Sequence, residues 1–133
     1  MQRCAVTALL AGALLSAPCA VFAQMQPDHR VFPAQALRGE LVVTQPPEVM
    51  VNGKADRLAP GVRIRNTGNL IVPAQMLADQ TLTVHYTREA TTGLLQDIWV
   101  LRPSELDNKP WPRSPREAQA WTFDTASQRW TKP

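Results

Sequence analysis

Turn-forming residues cut the stretch from Arg38 to Leu101 into short apolar runs, and this punctuation limits what the chain can fold into more than any other feature. The cuts fall at Pro46-Pro47, Asn52-Gly53, Pro60-Gly61, Asn66-Thr67-Gly68-Asn69, Pro73 and Gly93. Proline lacks a backbone donor, while glycine and asparagine accept positive φ, so such residues end or reverse extended segments. Between them lie Glu40–Thr44, Val49–Val51, Lys54–Leu58, Val62–Arg65, Leu70–Val72, Thr81–Thr87 and Leu94–Leu101. Asn52-Gly53 is a strong signal for a two-residue type I′ hairpin. In Thr81–Thr87 the alternation is strict: Leu82, Val84 and Tyr86 share one face, and Thr81, Thr83, His85 and Thr87 the other. The run Leu94–Leu101 is nearly apolar throughout and reads as a central strand, and Ala74–Ala78 offers at most one helical turn. Short strands at near-regular spacing predict an all-β fold, a small antiparallel barrel or sandwich of about six short strands.

Two flanking regions differ in character. Met1 to Ala23 has the three parts of an export signal: basic Arg3, an apolar stretch from Ala5 to Leu15, and the small-residue exit Val21-Phe22-Ala23. Cleavage is expected before Gln24. Pro18 breaks the run and directly precedes Cys19, which argues against both an uncleaved anchor and a lipidated cysteine. Cys4 and Cys19 are the only cysteines of the 133 residues, so the mature chain is expected to have no disulfide, thiol nucleophile or thiolate metal site. Arg3 is the only charge removed, lowering the net charge from +3 to +2, too mild for a dedicated polyanion binder. The expected location is periplasmic or secreted. A polar, flexible leader (24–37) precedes the barrel-like domain (38–102), and a Pro/Trp-rich C-terminal extension (103–133) follows it.

In that extension Pro110, Pro112 and Pro115 surround Trp111, a pattern that no strand or long helix tolerates. Ser114-Pro115-Arg116-Glu117 matches a capping box and starts a short helix through Ala120. Trp121 to Lys132 is similar in its aromatic-Thr-aromatic-Asp spacing to the autonomous hairpin of the protein G B domain. The likeness places Phe123 opposite Trp130, with Asp124 capping the turn, and implies no immunoglobulin binding. Further resemblances are local. Val51-Asn52-Gly53-Lys54 with Leu70–Pro73 and Met76-Leu77 resembles the small repeat of copper amine oxidase N-terminal-like domains, which are non-catalytic envelope modules. The order of elements resembles an OB-type barrel. Arg38–Leu101, with its Gly-x-Leu-Val-Val-Thr strand, Pro-Pro, Asn-Gly hairpin and Tyr-Thr strand, resembles an uncharacterised family of small exported proteobacterial proteins, and that resemblance implies no known activity.

The residues that could carry chemistry are few. His29 and His85 are the only histidines, without His-x-His or His-x3-His spacing, and although Glu89 and Asp97 are possible oxygen donors, no metal site is expected. Past the export segment the serines are Ser104, Ser114 and Ser127, none in a Gly-x-Ser-x-Gly elbow, and there is no glycine-rich phosphate loop. No catalytic residue and no cofactor are expected. Candidate binding residues are Arg57, Arg63 and Arg65 on an outer sheet face, and Trp111, Trp121 and Trp130 in the extension, since Trp and Arg concentrate at interaction hot spots. Expected partners are an envelope protein or an anionic glycan. Nucleic acid is not expected outside the cytoplasm, and the barrel region carries only Tyr86 and Trp99 for stacking. The sequence therefore reads as an exported, non-enzymatic binding or envelope-assembly module. Two alternatives stay open: a glycan or small-molecule binder using an exposed Tyr86, Trp99 or Trp111, and an enzyme built on His85 and a carboxylate.

Overall fold

The computed structural model describes residues 29–133. The export segment, its cleavage point and the first residues of the leader lie outside the described residues. Five strands make a closed barrel: β1 (Leu37–Gln45), β2 (Glu48–Val51), β3 (Lys54–Arg65), β4 (Thr81–Arg88) and β5 (Leu95–Val100). Their order around the barrel is β1-β2-β3-β5-β4, with β4 returning to β1. A single 3-10 turn, Ala74–Leu77, lies between β3 and β4. Helices α1 (Pro103–Leu106) and α2 (Pro115–Ala120) follow, then a hairpin of β6 (Thr122–Asp124) and β7 (Arg129–Thr131). The protein is all-β with short helices.

The local signals act as the residues dictate. Asn52 and Gly53 both adopt positive φ, +52° and +78°, and Val51 pairs with Lys54 across them. Asn52 also binds back to β1: its backbone N–H donates to Glu40 O and its Oδ1 accepts from Glu40 N, both at 2.9 Å. Ser114 Oγ accepts from Glu117 N and caps α2. Phe123 pairs with Trp130, and Asp124 Oδ1 accepts from Ala126 N at 3.0 Å.

Three features depart from the expected strands. Leu70–Val72 forms no strand and meets the barrel as an isolated bridge between Ile71 and Arg65. Lys54–Leu58 and Val62–Arg65 form one twelve-residue strand that runs through Pro60-Gly61. The reason lies in its partners: the first half of β3 pairs with β2, and the second half with β5. Between Leu58↔Leu95 and Arg63↔Asp97 the register shifts, so Pro60 occupies a bulge where its missing N–H breaks no ladder bond. The β3–β5 pairing is parallel, while the other barrel pairings are antiparallel.

Two cores result. Inside the barrel, Leu41, Val43, Ile64, Val84, Leu95 and Ile98 are at most 1% exposed. A second core lies outside it, where Phe32 and Ala36 from the leader meet Leu101, Trp111 and Trp130. The leader, expected to be flexible, is thus packed over its described part, because Phe32 is 5% and Ala36 0% exposed. The extension is equally built in: Trp111 Nε1 donates to Ala36 O at 2.9 Å, and Arg38 N to Pro112 O at 2.8 Å.

Val84→Asp places a carboxylate in a site with no exposure, at a cost of several kcal/mol, comparable to the roughly 5–15 kcal/mol total stability of a domain. Chemical denaturation is expected to show loss of the cooperative transition. A chain ending at Leu101 exposes the outer core and is expected to lose the near-UV circular dichroism of its remaining aromatic residues.

Candidate functional site

Strand register assembles the site. Arg38 on β1 lies opposite His85 on β4, His85 opposite Trp99 on β5, and Trp99 opposite Arg65 on β3. Alternation turns this row away from the barrel core, onto the face that the leader and the extension cover. Phe32 meets His85 edge-on at 4.4 Å between ring centres, and Trp111 stacks on the imidazole at 4.0 Å. Phe32 also meets Trp99 edge-on at 5.6 Å, and Arg65 lies over Trp99 at 5.5 Å. Along this band two rings, His85 and Trp99, lie between two cations, Arg38 and Arg65, and the ring and cation contacts have separations typical of ring–ring or cation–π attraction.

Alternation alone puts His85 on a solvated threonine face. The face is the expected one, but the side chain is 1% exposed, because the segments packed over β4 come from far away in the chain. Arg38 Nε donates to His85 Nε2 at 3.2 Å. A guanidinium can only donate, so the imidazole proton must sit on Nδ1. Burial first, then the Arg38 and Arg30 charges, push the His85 pKa down to about 2. The ring is neutral at any physiological pH, and its one hydrogen-bond partner among the described residues is a cation. The enzyme alternative places a carboxylate within hydrogen-bond reach of His85; the group that reaches it is the Arg38 guanidinium.

Two arginines, neither singled out by sequence, organise the surroundings. Arg30 makes a two-pronged pair with Glu105, through Nε to Oε2 at 2.9 Å and through Nη2 to Oε1. It also donates to Val100 O at 2.7 Å and Asn66 O at 3.0 Å, joining the leader to β5 and the β3–β4 connection. Arg38 donates to the carbonyls of Asn108 (2.9 Å) and Glu105 (3.0 Å) and lies 5.6 Å over Trp111. Burial and the nearby Arg113 hold Arg38 below the usual guanidinium range, with Glu105 pulling the other way. Beside this network is a cavity of about 410 Å³, whose wall includes Phe32, His85, Arg102, Glu105, Asn108 and Ser127. Among the described residues, His85 Nδ1, Asn108 Oδ1 and Trp130 Nε1 are buried without a hydrogen-bond partner.

The predicted site residues are divided by the structure. Arg63 and Arg65 converge on one carboxylate, with Arg63 Nε 2.9 Å and Arg65 Nη1 3.3 Å from Asp97 Oδ1. Arg57 stands apart on the β2-paired half of β3, exposed, 3.7 Å from Glu48. Trp111 and Trp130 are 4% and 6% exposed and belong to the outer core, so they do not offer a docking surface; Trp121 is half-buried, with Lys132 Nζ at 5.2 Å from its ring. Of the aromatics expected in an open cleft, Tyr86 and Trp111 are buried and Trp99 is half-buried. Arg30, Phe32, Arg38, Glu105 and Asn108 are additions that sequence reasoning misses. Alternation puts Arg38, beside Leu37, on the outer face, but no local signal shows that this face is covered.

Stability should follow the buried imidazole. In the unfolded chain His85 takes up a proton near the ordinary histidine value of 6.5, whereas in the folded chain it does so only near 2. The unfolded state therefore binds more protons between these values, and stability falls as pH drops below about 6.5, by about 1.4 kcal/mol per unit. Asp56, held below its ordinary range by its hydrogen bonds to Arg88 and to the Arg57 backbone against its burial, adds a loss only at more acidic pH. Urea midpoints are expected to be flat above about pH 7 and to decline from about pH 6.5 toward about 4.5. His85→Gln keeps an acceptor for Arg38 and cannot titrate, so it should flatten that decline; an unchanged slope would assign it to another group.

Among the described residues no helix is long and apolar enough to cross a membrane, and no group of three or more His, Cys, Asp or Glu side chains could hold a metal ion. Neither a family model, nor a curated protein, nor a solved structure matches this chain.

Proposed function

We propose that this chain is an exported, non-catalytic binding module that takes a small polar ligand at the cavity between the leader, α1 and the hairpin turn. The observation that carries this reading is a set of orphaned buried polar atoms: those of His85 and Asn108, which line a cavity of about 410 Å³, and that of Trp130 in the adjoining outer core. Buried polar groups without partners cost stability, and concave sites with a few convergent polar groups are the usual form of a ligand pocket. The hydrogen bonds that anchor the leader, from Arg30 and Phe32 N, use none of these atoms and leave them unaccounted for. Export is supported by the Met1–Ala23 segment, with a periplasmic or secreted protein beginning at Gln24. The barrel order, with one parallel β3–β5 pair and a short helical turn before β4, resembles OB-type barrels, a scaffold that hosts many binding roles.

One observation favours a second reading, assembly with an envelope protein. Leu70, Ile71 and Met76, all in the connection between β3 and β4, are 66%, 64% and 67% exposed, and large exposed apolar side chains mark contact surfaces.

A thermal-shift screen of polar small molecules on the Gln24–Pro133 protein separates the two. A compound at about 100 times its Kd adds about 2.7 kcal/mol of stability. Ser127→Trp, at an exposed turn position on the cavity wall, is expected to abolish that shift while leaving the fold intact. Absence of any shift, together with envelope crosslinks lost in Ile71→Asp but kept in Ser127→Trp, would replace the first reading with the second.

A further inference from the structure

We propose that the cavity binds a small hydroxy acid, a molecule carrying one carboxylate and at least one hydroxyl; this rests on the small-ligand reading above. The charge of the site points to an anion. Arg30 and Arg38 are both buried, at 9% and 8% exposure, and among the described residues Glu105 is the one carboxylate in contact with Arg30. The side-chain hydrogen bonds of Arg38 to described residues all go to neutral acceptors: His85 Nε2, Asn108 O and Glu105 O. Two of these three acceptor residues, His85 and Asn108, also hold orphaned side-chain atoms, and all three line the cavity. The Arg38 charge, held behind the cavity wall by these three lining residues, therefore has no paired anion among the described residues, and buried charges are normally paired.

The orphaned atoms specify the rest. His85 has its proton on Nδ1, because Arg38 occupies Nε2, so it presents a donor suited to a carboxylate oxygen. The Asn108 amide is oriented by its Nδ2 donating to Gln128 O at 2.6 Å, which fixes Oδ1 as the other atom, an acceptor that calls for a donor on the bound molecule. An ammonium group would meet that need but would face the excess positive charge, whereas a hydroxyl does not. Val31, Phe32 and Ala126 give the wall apolar surface for a short carbon skeleton, and Ser104 and Ser127 add hydroxyls. About 410 Å³ lies within the range of small-molecule sites.

The test is a titration of the isotopically labelled Gln24–Pro133 protein, followed through the His85 ring nitrogens, the Asn108 side-chain amide and the Trp130 indole N–H. Lactate and gluconate are the hydroxy-acid probes; acetate, L-alanine and glucose lack the hydroxyl, the net negative charge of a simple carboxylate, or the carboxylate itself. Lactate or gluconate is expected to shift these resonances saturably, with alanine and glucose at least about tenfold weaker and acetate weaker than lactate. Asn108→Leu is expected to bring the affinity for lactate and gluconate down to that for acetate. Ser127→Trp, which leaves both Asn108 and Arg38 in place, should block all of the carboxylates. Glucose or alanine binding as tightly as the hydroxy acids would overturn the ligand class and leave the binding module standing. The same division follows if no probe moves these signals while the thermal-shift screen finds a compound blocked by Ser127→Trp; silence in both would overturn both readings.

Discussion

Arg38 is bound to parts of the chain that are distant in sequence: His85 on β4, and the carbonyls of Glu105 and Asn108 beyond β5. A guanidinium removed from water must have its donors satisfied, and here the satisfying groups come from the segment laid over the barrel. The outer layer and the buried charge thus require each other. Without the extension, Arg38 and His85 would stand in solvent on an ordinary polar strand face. With it, the same face becomes a second apolar core with a charged row beneath it. Trp111 joins the two, stacking on His85, lying under Arg38 and hydrogen bonding to Ala36.

Sequence is most legible where the physics is local. The Asn52-Gly53 turn, the Ser114 cap, the Phe123–Trp130 pair and the inward set Leu82, Val84 and Tyr86 all depend on neighbours within a few residues. Pro60-Gly61 misleads because its local meaning, a stop, gives way to a long-range requirement that β3 bend from β2 to β5. The site is hidden for the same reason. Alternation correctly assigns His85 to the outer face of β4, but its burial depends on Phe32, more than fifty residues earlier, and on Trp111, more than twenty later. Arg30 and Glu105, 75 positions apart, carry no mark in either segment that they will meet.

The surface arginines and the buried ones show how position alters the same chemistry. Arg63 meets Asp97 from the solvent side, where such a pair contributes about 0–1 kcal/mol and is screened by salt, while Arg65 reaches the same carboxylate from a partly buried position. The Arg30–Glu105 pair is withdrawn from water, and removing one partner there leaves an uncompensated charge worth about 3–5 kcal/mol of instability. Surface pairs of this kind tolerate substitution, whereas the buried pair fixes which segments lie side by side.

The outer core also bears on the order of folding. Phe32 N donates to Gln128 Oε1 across 96 positions, and Trp130 packs in the same cluster as Phe32. Closing so long a loop is slow compared with forming a hairpin. The barrel strands can all pair once Val100 is available, but the outer layer is complete only when the final hairpin brings Gln128 and Trp130 to Phe32. A chain delivered from its amino end, whether by a ribosome or through a membrane pore, would hold Arg30 without Glu105 until every barrel strand has emerged, and Phe32 N without Gln128 until the hairpin follows.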